Sequence, residues 1–192
     1  MMKSGNAMIL LLSVFLTVLF SGAAIRTAPV AKRADAVVVV VDAGHGGVDG
    51  GVTGVATGVK ESDINLAVAK TLRQKLEAGG ITVVMTRTTP AALYGGLSDG
   101  FKRKDLLKRV ELSKKSNADL FISVHANKYS DSSRRGAQVF YKINDEKSKL
   151  FASCVQQSFN DMARSARDCS SLAGDYYVLN QNSAPSIICE CG

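Results

Sequence analysis

The stretch Val37-Val38-Val39-Val40-Val41-Asp42-Ala43-Gly44-His45 begins with five consecutive β-branched residues and ends in polar and small ones. A strand with one solvated face alternates apolar and polar residues, whereas an uninterrupted apolar run is typical of a central strand covered on both faces. Residues 37–41 are therefore predicted to form a buried strand of a parallel sheet, with His45 just beyond its carboxyl end.

The rest of the chain alternates predicted strands with predicted helices. Apolar runs and alternating patterns predict further strands at residues 81–85, 120–124, 137–142, 175–179 and 186–191. Apolar residues spaced three and four apart predict helices at residues 62–78, 104–115 and 150–162, and residues 86–101 are predicted to be a loop. This order predicts a single α/β domain with a mostly parallel, twisted sheet and helices on both faces.

Composition narrows the class of protein. The chain has 192 residues, of which 46% are apolar and 21% are charged, so it has the size of one well-packed domain and is too apolar for a disordered chain. Its formal net charge of +7 favours an anionic partner. A basic cluster lies just before and within the helix predicted at 104–115, and it either contacts an anionic polymer or, as is commoner, forms a solvated helix face; its members are Lys102, Arg103, Lys104, Lys108 and Arg109.

The first 35 residues differ from the predicted domain. Lys3 precedes an apolar run at residues 7–20, and small residues follow at 21–24, which is the order of a secretory signal. A retained membrane anchor is the alternative, because residues 7–25 approach the ~20 residues that span a bilayer. The sequence thus predicts a signal peptide or N-terminal anchor at 1–24, a linker at 25–35, and an exported functional domain at 36–192, with transient membrane anchoring by residues 7–25 left open.

Four cysteines lie near the end of the chain, at Cys154, Cys169, Cys189 and Cys191. Cys189 and Cys191 share one face of the last predicted strand and cannot easily bridge each other, so core packing is expected. A bridge between Cys154 and Cys169 stays open. A cysteine zinc site is disfavoured, because the C-x-x-C spacing is missing.

The chain contains two histidines, His45 and His125, and each directly follows a buried apolar run. The carboxyl ends of parallel strands meet at the edge of the sheet where ligands bind, so both side chains are expected at one site. Glu61 begins the helix after the first strand and returns to the same edge. Two imidazoles and one carboxylate with an open fourth position form a known catalytic zinc set. The alternatives are ordinary hydrogen-bonded histidines and an acid favoured by the helix dipole.

Two more carboxylates lie at this edge. Glu190 follows the apolar residues of the last strand, where a charge is costly unless it is solvated or used. It is predicted to be a general base that moves a proton from water to a leaving amine, and the alternative is a solvated charge at a strand end. Asp42 is predicted either to support a metal ligand or to act directly.

Other kinds of site find little support in the sequence. Gly44-x-Gly46 lacks the third glycine of a dinucleotide-binding fingerprint, and neither a phosphate-binding G-x-x-x-x-G-K-[ST] loop nor an H-E-x-x-H helix is present. Nucleic acid is not an expected partner, because the chain is predicted to be exported and has few aromatic residues.

Taken together, these motifs resemble the zinc-dependent N-acetylmuramoyl-L-alanine amidases of the third amidase type. The matching segments, in order, are Val41-Asp42-Ala43-Gly44-His45-Gly46-Gly47-x-Asp49, Lys60-Glu61, Ser123-Val124-His125-Ala126-Asn127, and Glu190-x-Gly192 after Pro185. The resemblance extends from about residue 36 to the end. It implies Zn²⁺ bound by His45, Glu61 and His125, with Glu190 as the catalytic acid/base. The implied reaction cuts the amide between the muramic lactyl group and L-alanine in peptidoglycan, at the cell wall or the outer face of the membrane.

Two shorter stretches resemble the sporulation and germination branch of that family. They are Arg103-Lys104-x-Leu106 with Arg109-Val110, and Asp175-Tyr176-Tyr177-Val178-Leu179. This likeness implies a role in spore cortex maturation or germination. Some relatives need an activator protein, and the sequence leaves open whether this chain has such a partner.

The end of the sequence departs from the family pattern. Relatives continue past the glutamate-x-glycine with a Phe-Leu-Ser-Asn-like stretch and a closing helix, whereas this sequence stops at Gly192. We therefore expect a catalytic domain whose C-terminal helix is missing. Two interpretations follow. The chain is either a zinc hydrolase of peptidoglycan or a catalytically impaired protein with a cell-wall-binding or regulatory role.

Overall fold

The computed structural model describes residues 36–95, 99–127, 136–162 and 168–192. Within these ranges the strands are Val38–Ala43 (β1), Thr82–Met85 (β2), Leu120–His125 (β3), Gln138–Lys142 (β4), Leu172–Gly174 (β5) and Ser186–Glu190 (β6). The helices are Glu61–Ala78 (α1), Phe101–Lys115 (α2), Glu146–Met162 (α3) and Tyr177–Asn180 (α4).

The strands form one sheet in the order β2-β1-β3-β6-β4-β5. All neighbouring pairs are parallel except β4 and β6, which are antiparallel. β1 therefore lies inside the sheet between β2 and β3, and the side chains of Val39, Val40 and Val41 are fully buried. The prediction of a mostly parallel sheet with a doubly covered first strand is confirmed.

Helices cover both faces of the sheet, as predicted. On one face, α1 and α3 pack Leu66, Leu76, Phe151 and Val155 against alternate residues of β1, β3 and β6. On the other face, Val178 and Leu179 of α4 pack with Val40, Phe121 and Ile188, and Leu106 and Leu112 of α2 lie against the same group. Because both faces are buried, the central strands read as continuous apolar runs.

One predicted strand is wrong. Residues 175–179 were expected to be extended, but Tyr177–Asn180 form the helical turn α4, and the fifth strand lies earlier, at Leu172–Gly174. Val178 and Leu179 are both buried against the same sheet face. Successive residues of a strand point to opposite faces, whereas a helical turn brings neighbours to one side.

Two helices begin earlier than predicted. α2 begins at Phe101 instead of residue 104, and α3 begins at Glu146 instead of residue 150. The first turn of α3 is polar, and the Asp145 carboxylate accepts a hydrogen bond from the Ser148 backbone N–H at 2.7 Å. A helix start that is fixed by capping shows no apolar periodicity. The apolar pattern therefore predicted the first residue of α3 too far along the chain.

The basic cluster divides between surface and interior. Lys102, Arg103, Lys104 and Lys108 are exposed, as a solvated helix face requires. Arg109 is only 2% exposed and forms ion pairs with Asp42 and Asp105. Its assignment to a solvated face is wrong, because its carboxylate partners hold it inside the fold.

None of the four cysteines forms a disulfide, so no bridge joins Cys154 to Cys169. Core packing is correct for Cys189, which is buried, and wrong for Cys191, which is exposed. In the described ranges, no helix has the length and apolar character needed to cross a membrane. The predicted signal or anchor at 1–24 and the linker at 25–35 lie outside the described residues.

Candidate metal centre

Three side chains from separate elements meet at the carboxyl edge of the sheet. His45 follows β1, Glu61 begins α1, and His125 ends β3. One ligand atom from each lies within 4.8 Å of the others. Glu61 Oε1 is 3.2 Å from His45 Nε2 and 3.1 Å from His125 Nδ1. The structure thus brings together the three residues that the sequence singled out as ligands.

Glycines allow this close approach. A Cβ on Gly44 would lie 2.3 Å from Nε2 of His125, which is a steric clash with the imidazole ring. A Cβ on Gly51 would lie 2.5 Å from Oε2 of Glu61, and Gly51 also has a φ of +66°, which side chains rarely adopt. The loop between β1 and α1 therefore needs glycine at both positions to pass beside the cluster.

Hydrogen bonds orient two of the three candidate ligands. Oε2 of Glu61 accepts a hydrogen bond from the Val52 backbone N–H at 3.0 Å, which leaves Oε1 facing the imidazoles. Oδ2 of Asp49 lies 3.0 Å from His45 Nδ1, so the other nitrogen, Nε2, faces Glu61. A carboxylate on the outer nitrogen of a histidine is a frequent companion of metal ligation. The sequence motif includes Asp49 four residues after His45, but no role was predicted for it.

The cluster holds Glu61 in its ionised form. Burial alone would raise the pKa of Glu61, but hydrogen bonds from the two histidines and the Val52 N–H outweigh it and lower that pKa well below its ordinary value. The hydrogen bond to Glu61 raises the pKa of His45, against the opposing effect of burial, and Asp49 raises it further. A proton on His45 therefore competes with any metal ion at this position.

Glu190 lies beside the cluster on the neighbouring strand. β6 pairs in parallel with β3 so that Glu190 is opposite His125, and the Cys191 backbone N–H donates to the His125 carbonyl oxygen at 2.9 Å. Burial raises the pKa of Glu190, and the negative charge of Glu61 adds to this effect while the two histidines oppose it. Its carboxyl group therefore exchanges a proton closer to neutral pH than an ordinary glutamate.

Asp42 supports the site through the backbone of the loop at residues 44–60, which follows β1 and is called the His45 loop. Its buried carboxylate accepts hydrogen bonds from the Ser123 hydroxyl at 2.6 Å and the Thr86 hydroxyl at 2.7 Å, and it pairs with Arg109. Arg109 in turn donates to the carbonyl oxygens of Ala43 and His45. The described contacts of Asp42 thus hold the loop and leave direct chemistry to other groups.

Arg87 makes a second set of backbone contacts, which were not predicted from the sequence. It donates to the carbonyl oxygens of Ala43 and Gly44, both at 2.9 Å, and to that of Ser62 at 2.8 Å. One guanidinium therefore ties the His45 loop to the first turn of α1. The available signal was the position of Arg87 just after β2, at the same sheet edge as the histidines.

A known protein family matches the part of the chain that carries these residues. The sequence profile of the N-acetylmuramoyl-L-alanine amidases, Amidase_3, matches residues 39–192. The chain belongs to this family. The match begins at the second residue of β1 and spans every later element described above, including all four candidate site residues.

Relatives and solved structures agree with this assignment. The germination-specific N-acetylmuramoyl-L-alanine amidase of Bacillus subtilis (strain 168) is 31% identical over 155 residues, which cover 79% of this chain and 65% of that protein. The chain thus spans slightly less than two thirds of that relative's length.

Two solved structures of family members share the fold. The CwlD amidase from Clostridioides difficile, solved in complex with the GerS lipoprotein, matches with a TM-score of 0.76 and 32% identity over 81% of each chain. An N-acetylmuramoyl-L-alanine amidase from Clostridium difficile 630 matches with a TM-score of 0.70 and 30% identity, covering 82% of this chain and 80% of that one. These matches confirm the single α/β domain with a mostly parallel sheet.

Proposed function

We propose that this chain is a zinc-dependent amidase that hydrolyses the amide between the lactyl group of N-acetylmuramic acid and L-alanine in peptidoglycan. One observation carries the proposal: in a chain of the amidase family, His45, Glu61 and His125 converge at the sheet edge beside Glu190. The roles assigned below to these four residues are part of the proposal.

The donor set suits zinc. Three ligand atoms around a tetrahedral zinc ion, at bond lengths of about 2.0 Å, lie about 3.3 Å from one another. The distances from Glu61 Oε1 to the two imidazole nitrogens, 3.2 and 3.1 Å, are close to that value. A bound zinc ion supplies Lewis-acid polarisation of a carbonyl oxygen and lowers the pKa of water at its open position. Glu61, kept anionic by its contacts, contributes the charged ligand.

Glu190 carries the proton in the proposed reaction. An amide nitrogen leaves poorly unless it is protonated, so hydrolysis needs a group that accepts a proton from the attacking water and passes it to that nitrogen. Glu190 lies in the same cleft as the cluster, and its raised pKa suits both halves of the transfer. Glu61 cannot do this, because its pKa is held far too low.

The finer biological assignment follows from the names of relatives. One is a germination-specific amidase, and a solved neighbour forms a complex with a lipoprotein. We extend the proposal to a role in spore cortex maturation or germination, with an activator protein as a partner. Since peptidoglycan lies outside the cytoplasm, the proposal includes export through residues 1–24, as a signal or an anchor.

The decisive experiment measures both zinc and product. Purified protein is incubated with peptidoglycan, and newly exposed L-alanine amino groups are quantified alongside bound zinc. We expect release by the unmodified chain, loss of release in Glu190→Gln with zinc retained, and no effect of Glu146→Gln, whose exposed carboxylate begins α3. Wall binding without release by the zinc-loaded, unmodified chain would instead favour a binding or regulatory protein.

A further inference from the structure

The cluster of His45, Glu61 and His125 lies where two lobes of one cleft meet. The larger lobe, of about 580 Å³, includes Glu190, Asn127, Tyr176 and Tyr177 in its lining. The smaller lobe, of about 280 Å³, lies between α2 and the His45 loop. Both lobes are lined by His45, Asp49, Lys102, Leu106, His125 and Val178. A substrate whose scissile bond lies at the cluster would therefore extend into both.

The smaller lobe offers an apolar surface. Its wall includes Ala92, Phe101, Leu106 and Val178. The charged groups at its floor are already paired with one another, since Arg109 bonds both Asp42 and Asp105. Apart from the residues that this lobe shares with the larger one, a group that enters it meets apolar side chains and polar groups that are already paired, which favours a small apolar substituent.

The smaller lobe is held in shape by the loop that carries Ala92. The Gly47 backbone N–H donates to the Pro90 carbonyl oxygen at 2.7 Å, and the Tyr94 backbone N–H donates to the Asp105 carboxylate at 2.7 Å. These two contacts fix the loop at both sides of Ala92. The lobe therefore does not need substrate to form it.

Lys102 stands where the two lobes meet. Among the described residues that line them, it is the one cation besides Arg109, whose charge is used internally. Its side chain is 69% exposed, and its Nζ lies 3.7 Å from Oδ1 of Asp49. An exposed ion pair of this length contributes little stability, and an ammonium group has three donors. Lys102 therefore retains donors for an anion that enters the cleft.

We propose that the smaller lobe is the subsite for the peptide stem, with Lys102 recognising a stem carboxylate; this inference rests on the proposed function. The stem begins with the methyl side chain of L-alanine, for which the apolar wall at Ala92 and Leu106 is suited, and its next residue carries the carboxyl group that Lys102 would bind. The glycan is bulkier and lacks a comparable chain of carboxylates. It fits the larger lobe, where Tyr176, Tyr177 and Asn127 offer aromatic faces and polar groups.

The test uses two soluble muramoyl-peptides that differ only in the second stem residue, which carries either a free carboxylate or a carboxamide. We expect the unmodified enzyme to prefer the carboxylate by about tenfold in kcat/KM, mainly through KM. Lys102→Met should remove this preference, so that the ratio of kcat/KM for the two substrates, both measured in that variant, falls to about one, while Lys102→Arg should retain most of it. Lys108→Met, on the same helix but outside both lobes, is the matched control.

A second variant tests the apolar wall. Ala92→Leu fills the lobe, so it should raise KM for both substrates while zinc content stays unchanged. Binding of the two peptides to Glu190→Gln, measured by calorimetry, should show the same carboxylate preference without turnover. Equal use of both peptides by the unmodified enzyme, or equal loss on both in Lys102→Met, would overturn the subsite. Failure of the zinc-loaded, unmodified enzyme to cleave either peptide would overturn the proposed function itself.

Discussion

Nη2 of Arg109 donates a hydrogen bond to the backbone carbonyl oxygen of His45 at 2.7 Å. The same guanidinium pairs with Asp42, and Asp42 accepts a hydrogen bond from Ser123, two residues before His125 on β3. One buried network therefore contacts the chain segments that carry both histidines. This makes Arg109 a positioning residue for the cluster, although it touches none of the candidate ligand side chains in these contacts.

Replacing Arg109 with lysine tests that role. Lysine keeps the charge but lacks the planar fork that reaches Asp42, Asp105 and two carbonyl oxygens at once. We expect zinc affinity to fall by roughly 10- to 100-fold, the range seen when groups that orient metal ligands are changed. Competition with a chromophoric chelator measures the affinity directly.

The control for Arg109→Lys separates geometry from general destabilisation. Leu76→Ala truncates a fully buried side chain near the far end of α1 and should cost about 2–5 kcal/mol of folding free energy. At a temperature where both variants remain folded, it should bind zinc like the unmodified chain. A similar loss of zinc affinity in both variants would show that Arg109 acts only through overall stability.

Acid should weaken the fold through Asp42. Burial alone would raise the pKa of Asp42, but the charge of Arg109 and the hydroxyl groups of Ser123 and Thr86 outweigh it and hold that pKa below its ordinary value. A lowered folded pKa contributes stability above the unfolded value, near 3.9, and that stability is lost as pH falls through the folded value. In urea unfolding of the metal-free protein, the advantage over Asp42→Asn should be constant above about pH 5 and shrink below about pH 4. An advantage that persists unchanged to about pH 2 would contradict this account.

Much of this arrangement was predictable from local sequence. The apolar runs at β1 and β3 identified buried strands, and chain order then placed His45 and His125 at one edge of the sheet. Glu61 was expected at the start of a helix and is its first residue. These predictions rest on properties of neighbouring residues, which the sequence shows directly.

The remainder depends on partners far away in the chain. Arg109 is buried because Asp42, 67 residues earlier, faces it across the fold. α4 is helical because two adjacent apolar residues pack on one sheet face, a tertiary effect that overrides an extended-looking sequence. Neither relationship can be predicted from the residues that are adjacent in sequence.

Zinc affinity should fall on acidification. Both imidazoles must be neutral to bind a metal ion, and the hydrogen bond to Glu61 raises the pKa of His45 above its ordinary value. Protons therefore compete from a higher pH than they would at a free histidine, near 6.5. Chelator competition between about pH 8 and pH 5 should show a steady loss of affinity, steepest at the acidic end. A constant affinity over that range would argue against histidine ligation.

Gly44→Ala should disrupt the candidate metal site while leaving the fold largely intact. Gly44 does not have a positive φ, so alanine suits its backbone, but the added Cβ would lie 2.3 Å from Nε2 of the His125 ring. The ring must rotate away from Glu61, and a displacement of about 1 Å is enough to lose on the order of a hundredfold in rate. We expect zinc content and amidase activity to fall together, with a far smaller change in melting temperature. Gly95→Ala is the matched control, because nothing lies within 4 Å of its added Cβ. If Gly44→Ala bound zinc as tightly as Gly95→Ala, His125 would have room to move within the site, and its assigned place as a ligand would have to be given up.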